Sequence, residues 1–237
     1  MNKIGFIPAR SGSIRLKNKN IRIVANRPLI YWTLRSAIKS NSFDKIIFSS
    51  DSKKYYQLLL KYLKKDRIKT GLIEFDYREK KYTKNKSKIF DYIKFGLINK
   101  FNINENDLIV LMLPTCPLRS VDTIKKSIKV SLKTKKNTFT VTNYSFHVSF
   151  ALKILGKSWQ ALFKNSPLLK GNTQGQNQKI YYHPTGLANC LHVKILKKKK
   201  NSIYYKSLPI IVNRNESIDI DTIEDLKLAS NILVKKF

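Results

Sequence analysis

The chain has 237 residues, 42% of them hydrophobic, enough to bury a proper core. Lys and Arg number 47 against 15 Asp and Glu, a formal net charge of +32. The cations are spread over nearly every segment without a zinc-finger, stacking or RNA-recognition signature, so incidental attraction to polyanions is expected and a specific nucleic-acid function is not. No apolar run approaches the ~18 residues of a membrane span, and neither a membrane partner nor a signal peptide is expected. Cys116 and Cys190 form no disulfide framework and no metal pattern, which places the chain in a reducing cytoplasm.

In chain order, residues 4–8 read as a buried strand closed by Pro8, followed by a loop of small residues and cations. Apolar residues at helical spacing predict a helix over 28–38, with Pro28 at its first position. A strand over 45–49 ends at Ser50-Asp51, and a helix over 53–63 follows. Residues 68–75 read as a strand, 89–98 as a helix, and 107–113 as an apolar strand stopped by Pro114. A helix over 121–132 and a strand over 138–142 come next. Residues 143–184 break the alternation, with 162–178 read as an exposed loop or arm. Strands over 187–196 and 203–212 and an amphipathic helix over 222–235 complete the chain. Strands alternating with helices predict an α/β fold with a mostly parallel sheet, as a single domain over 1–237. Ligands of such a sheet bind beyond the carboxyl ends of its strands, where the first loop, Ser50-Asp51, Pro114-Thr115 and the segment before the last helix would lie.

Two stretches carry chemistry. The loop Ala9-Arg10-Ser11-Gly12-Ser13 with Arg15 and Lys19 is either an ordinary turn or a cradle whose backbone N–H groups and cations converge on a triphosphate. Asp219 and Asp221 stand two apart, so on an extended segment their carboxylates share one face. A hard cation such as Mg²⁺ needs such a pair beside phosphates. The alternative makes Asp221 a helix cap, or gives Thr222 and Asp225 the start of the last helix. His147, His183 and His192 are too scattered for a metal set, and Cys116 reads as a packed small residue rather than a nucleophile. The run from Lys197 to Lys200 reads as a solvated turn.

Taken in order, Ile7-Pro8-Ala9-Arg10-Ser11-Gly12-Ser13, Lys19-Asn20-Ile21, Pro28-Leu29-Ile30, Ser49-Ser50-Asp51, Leu113-Pro114-Thr115-Cys116-Pro117-Leu118-Arg119 and the run from Ser217 to Asp225 resemble one family. It is the cytidylyltransferase family that activates sialic and related sugar acids, including the acylneuraminate, legionaminate and pseudaminate enzymes. The resemblance spans 4–229. It implies a Rossmann-like nucleotidyltransferase fold and transfer of CMP from CTP to the anomeric hydroxyl of a nonulosonic acid, with release of pyrophosphate, in the supply of cell-surface polysaccharide. It also implies that Arg10, Arg15, Lys19 and Asp221 are catalytic, that Ala9, Ser11, Gly12, Ser13, Asn20 and Arg78 join Arg10 on the nucleotide, and that Asp219 and Asp221 hold Mg²⁺. Thr115, Gln176, Tyr182, Thr185 and Gly186 match sugar-site positions, and the irregular region at about 143–184 matches an arm through which such proteins form homodimers.

The chain departs from the family pattern in several places. The sialic-acid members place a lysine four residues after the first arginine, where this chain has Ile14. The octulosonate relatives place an arginine one residue later, where this chain has Arg15, so Arg15 is expected to stand in for the missing ammonium. Leu113 replaces a polar residue, Asn85 an acidic one, Gly175-Gln176 an Arg-Gln pair, and Thr185-Gly186 an Asn-Gly. Two alternatives follow: an octulosonate cytidylyltransferase, and a catalytically weakened homologue that only binds polyanions.

Overall fold

The computed structural model describes residues 1–84, 86–172, 174–176, 178–198 and 202–236; Asn85, Lys199 and Lys200, on which readings above fall, lie outside them. β1 (Lys3–Pro8) enters a loop closed by a 3-10 turn at Lys19–Ile21. A small ribbon, β2 (Ile23–Val24) and β3 (Arg27–Pro28), then delivers the chain to α1 (Leu29–Lys39). β4 (Lys45–Ser50), α2 (Lys53–Lys65) and β5 (Ile73–Tyr77) follow. Next come α3 (Ile89–Tyr92), a π turn at Ile93–Leu97, α4 (Ile98–Lys100), β6 (Leu108–Leu111), α5 (Val121–Thr134) and β7 (Thr138–Asn143). The remainder holds the hairpin β8 (Leu152–Leu155) and β9 (Ser158–Ala161), then β10 (Tyr182–Pro184), β11 (Asn189–His192), α6 (Val193–Lys198), β12 (Leu208–Ile211) and α7 (Ile223–Lys236).

The main sheet has the order β10-β7-β11-β6-β1-β4-β5, with β12 also paired to β7. β1, β4, β5 and β6 run parallel, as do β7 and β12, while β10 and β11 run antiparallel to their partners. The chain moves outward from β1 to β4 and β5, then returns to the other side of β1 with β6. The β1/β6 boundary is therefore the switch point, where loops from neighbouring strands part and leave a crevice. Between β10 and β11 the backbone detours at 185–188. Thr140 holds it at both ends, accepting from Thr185 N at 2.8 Å and donating to Asn189 Oδ1 at 3.3 Å.

Alternation along the strands builds two cores. Ile7, Ile46, Phe48, Leu108, Val110 and Met112 face the side covered by α1, α2, α5 and α7. Ile4, Phe6, Ile47, Ile109 and Leu111 face the side covered by Tyr92, Ile93, Leu97, Val193 and Leu196. Each fully buried Ile, Leu or Phe contributes roughly 1.5–3 kcal/mol, so the strands are nearly continuous apolar runs, as a parallel sheet covered on both faces requires.

Four readings shift. Pro28 is the extended residue before α1 rather than its first helical residue. The strand expected at 68–75 is β5, beginning only at Ile73, because Ile68 N closes onto Leu63 O and Ile73 N onto Thr70 O. The strand expected at 187–196 ends at His192. Val193 and Lys194 donate to the carbonyls of Asp107 and Glu105, and the chain turns into α6, which buries Val193 and Leu196. The strand expected at 203–212 is the shorter β12, preceded by turns in which Lys206 has φ +56.

Candidate active site

The loop after β1 is anchored at its start and end, leaving its cations on one side. Ala9 N donates to Ser49 O at 2.8 Å, and Ser11 donates through N and Oγ to the two carboxylate oxygens of Asp51 at 2.7 and 3.0 Å. Leu16 is buried, and Ser13, Ile14, Arg15 and Lys19 around it border the crevice. Asn20 Nδ2 donates to Arg10 O at 2.8 Å; its Oδ1 is buried and has no partner among the described residues. Pro8, Arg10, Ser13, Ile14, Arg15, Lys19, Asn20, Leu113 and Thr115 line a cavity of about 380 Å³.

The segment before α7 closes this cavity from the far end of the sequence. Ile220 N donates to Thr115 O at 2.8 Å, pinning the segment to the loop after β6. Arg15 Nη1 lies 2.6 Å from Asp221 Oδ2, and Lys19 Nζ lies 2.8 Å from Asp221 Oδ1 and 2.6 Å from Ile220 O. The two ion pairs differ in character. The Arg15 side chain is 75% exposed, so its pair contributes at most about 1 kcal/mol and yields readily to another anion. The Lys19 side chain is 14% exposed and is held more firmly.

Asp219 is exposed at its outer edge, yet the groups packed around its carboxyl desolvate it and push its pKa up; the Thr115 hydroxyl bond opposes this and the Asp221 charge adds to it. The cap reading for Asp221 does not hold for its side chain. Thr222 and Asp225 take that role, Thr222 Oγ1 accepting from Asp225 N at 3.2 Å and Asp225 Oδ2 from Thr222 N at 2.9 Å.

Two further cavities adjoin the first across Leu113. One of about 200 Å³ is lined by Pro8, Arg10, Arg78, Tyr82 and Lys84, with Arg10 Nη1 3.4 Å from the carbonyls of both Thr83 and Lys84. The other, of about 240 Å³, is lined by Leu113, His183, Thr185, Gly186, Asn189 and Asp219. A Cβ at Gly186 would meet the Leu113 side chain at 2.6–2.8 Å, so the residue at 113 and the glycine are packed as a pair. A larger cavity of about 440 Å³, beside Arg27 and Trp32, gathers none of the expected site residues.

Most expected residues therefore meet at the switch point; Tyr182 and Gln176 do not. Tyr182 is exposed on β10, where His183 lines the cavity instead, and Gln176 is exposed on the arm. Sequence reasoning also passed over Arg119. It is fully buried, and its guanidinium donates to the carbonyls of Leu113 and Gly186 at 2.8 Å each, to Leu187 O, and to Thr33 Oγ1 at 2.7 Å. It ties the two loops that face Asp219. Its place in the 113–119 motif was the only signal. Cys116 is buried with its thiol pushed up to about 12 by desolvation, consistent with a packed residue.

A family profile described as cytidylyltransferase matches residues 4–234. The chain is 28% identical over 234 residues to the N-acylneuraminate cytidylyltransferase of Escherichia coli O18:K1:H7, covering 98% of this chain and 52% of that one. It thus spans about half the length of that relative. It is 27% identical to the CMP-N,N'-diacetyllegionaminic acid synthase of Legionella pneumophila, covering 98% and 97%. Among solved structures, CMP:2-keto-3-deoxy-manno-octonic acid synthetase complexed with CTP matches with a TM-score of 0.66 at 12% identity, covering each chain fully. That likeness identifies the nucleotidyltransferase fold.

Proposed function

We propose that this chain, which belongs to the cytidylyltransferase family, transfers CMP from CTP to the anomeric hydroxyl of a nonulosonic acid and releases pyrophosphate. The observation that carries the reading is the meeting of Arg15 and Lys19 with Asp221 and Asp219 beside a cavity at the switch point of the sheet. Arg10, Arg15 and Lys19 hold the triphosphate and stabilise the charge that develops on the leaving pyrophosphate, with Ala9, Ser11, Gly12 and Ser13 supplying the loop. Arg15 is the labile member, free to leave Asp221 for phosphate. The unpartnered Oδ1 of Asn20 accepts from a nucleotide hydroxyl, and Arg78 lines the adjoining nucleotide cavity. Thr115, Thr185 and Gly186 border the sugar acid, whose carboxylate suits a basic cleft.

The donor set fits Mg²⁺. Two hard carboxylates stand beside a phosphate loop, and desolvation disfavours the charged form of Asp219 there. Among the described residues no third acidic, His or Cys ligand joins them, leaving the other positions to phosphate and water. Asp219 and Asp221 would hold the ion, which when bound supplies polarisation of the α-phosphoryl group. Arg15 and Lys19 keep Asp221 oriented and neutralised until then. The exposed apolar hairpin β8–β9, with Leu152, Ile154, Leu155 and Trp159 on its surface, supports the arm as a homodimer contact. The enzyme works in the cytoplasm and supplies activated sugar for cell-surface polysaccharide.

Incubation with CTP, Mg²⁺ and N-acetylneuraminic, legionaminic, pseudaminic or 3-deoxy-manno-octulosonic acid, following pyrophosphate, tests the reading. Release with a nine-carbon acid is expected. Release only with the octulosonate, which the position of Arg15 would favour, overturns the substrate assignment. Saturable CTP binding without release with any acid would favour the polyanion-binding alternative.

A further inference from the structure

Behind Arg78 lies a buried polar network that no role above uses. Asp76 on β5 is fully buried and accepts from three donors: Ser49 Oγ at 2.5 Å, Lys100 Nζ at 2.6 Å, and the Tyr92 hydroxyl. Two of these donors in turn touch Arg78. Arg78 Nε donates to Ser49 Oγ at 3.1 Å and its Nη2 to Ser49 O at 2.9 Å, while its guanidinium carbon lies 5.4 Å from the centroid of the Tyr92 ring. The helix that carries Tyr92 is irregular at this point. Tyr92 immediately precedes the π turn at Ile93–Leu97, and a Cβ at Gly96 would meet the Tyr92 ring at 2.6 Å. A π turn of this kind is the sort of local irregularity that helices keep at functional sites.

The network has a direction. A serine hydroxyl has one proton, and Asp76, acceptor-only when ionised, takes it. Ser49 Oγ is thereby left with only acceptor capacity toward Arg78 Nε. Both Nε and Nη2 are then committed to Ser49, and Nη1 takes no part in that contact. Arg78 is itself 4% exposed and lines the cavity with Pro8 and Arg10.

From this geometry we propose that Asp76 and Ser49 are positioning residues for nucleotide binding, fixing the rotamer of Arg78 so that its remaining N–H groups are presented to the bound nucleotide. The proposal rests on the reading of Arg78 as a nucleotide contact. Asp76→Asn keeps the shape but offers an N–H₂ group to Ser49, which reverses the hydroxyl and sets it against Arg78 Nε. Ser49→Ala removes only the bridging oxygen.

The test is calorimetric titration of CTP into the full folded chain, with steady-state kinetics alongside. Each single variant is expected to weaken CTP binding about 10-fold, with KM for CTP rising by the same factor and kcat changing less than about 3-fold. The double variant is expected to be no weaker than either single one, because both break one path. Melting curves show that the variants remain folded at the titration temperature; a merely structural role would lower melting without moving CTP affinity. Parental affinity in both single variants, or additive losses in the double, overturns the proposal. Absence of CTP binding by the parent chain would overturn the functional reading itself and the proposal with it.

Discussion

Asp219 is a carboxylate that its packed surroundings work against. Its proton is held more tightly in the folded chain than in the unfolded one, because desolvation of the carboxyl raises its pKa from the ordinary value of 3.8. The group therefore favours the folded state below the unfolded value and costs stability once pH has risen past the raised folded one. Asp219→Asn should raise the melting temperature at neutral pH while turnover falls about 100-fold or more, roughly 2.7 kcal/mol of transition-state stabilisation. A variant that melted below the parent at pH 7 would contradict the assigned cost. Ile14 presents the opposite case, an apolar side chain 72% exposed at the rim of the cavity beside the first loop. Ile14→Lys should leave kcat/KM equal to or above that of the parent, since Arg15 is held only by an exposed ion pair. A collapse in rate would mean that Arg15 alone suits this loop. The roles proposed for both residues were open to sequence reading, Asp219 through its spacing from Asp221 and Ile14 through the lysine that the family pattern places there. Those of Arg119 and Asp76 were not, because their partners are backbone carbonyls and side chains distant in sequence.

The start of α7 joins secondary structure to the site. Asp225 accepts from the backbone N–H of both Asp221 and Thr222, so the cap that begins the helix also holds the carboxylate that faces Lys19. Asp225→Ala is expected to cost about 1 kcal/mol in a denaturant melt and to lower kcat/KM about 10-fold by loosening Asp221. A rate unchanged despite the stability loss would uncouple cap from site. At this scale the core strands β1, β4 and β6 were legible because two covered faces demand unbroken apolar runs. The stretch from 187 to 212 was not, because Val193 and Leu196 satisfy helix and strand patterns alike over so short a span. Contacts of Val193 and Lys194 with the 105–107 turn decided for a helix. β12 also contains Pro209, which a strand tolerates where one edge is left unpaired.

For the whole molecule, two surface features bear on the proposed partners. The hairpin β8–β9 projects apolar side chains, Ile154 being 72% exposed, and the paired change Ile154→Asp with Trp159→Asp should convert a dimer to a monomer in sedimentation. A parent chain that sediments as a monomer, or an unchanged dimer in the variant, would sink the arm assignment. The charge of +32 steers anions of any kind, so KM for CTP should rise with ionic strength as screening shortens the range of the field. By itself the sequence determined the alternating α/β plan and brought the first loop and the acidic pair forward as candidates, since periodicity and residue type are local properties. Only the tertiary structure decided that Arg15 and Lys19 meet Asp221, that Leu113 packs on Gly186, and that Ser49 bridges Asp76 and Arg78. Each of those contacts depends on the sheet bringing together segments far apart in the chain, a proximity that no window of sequence contains.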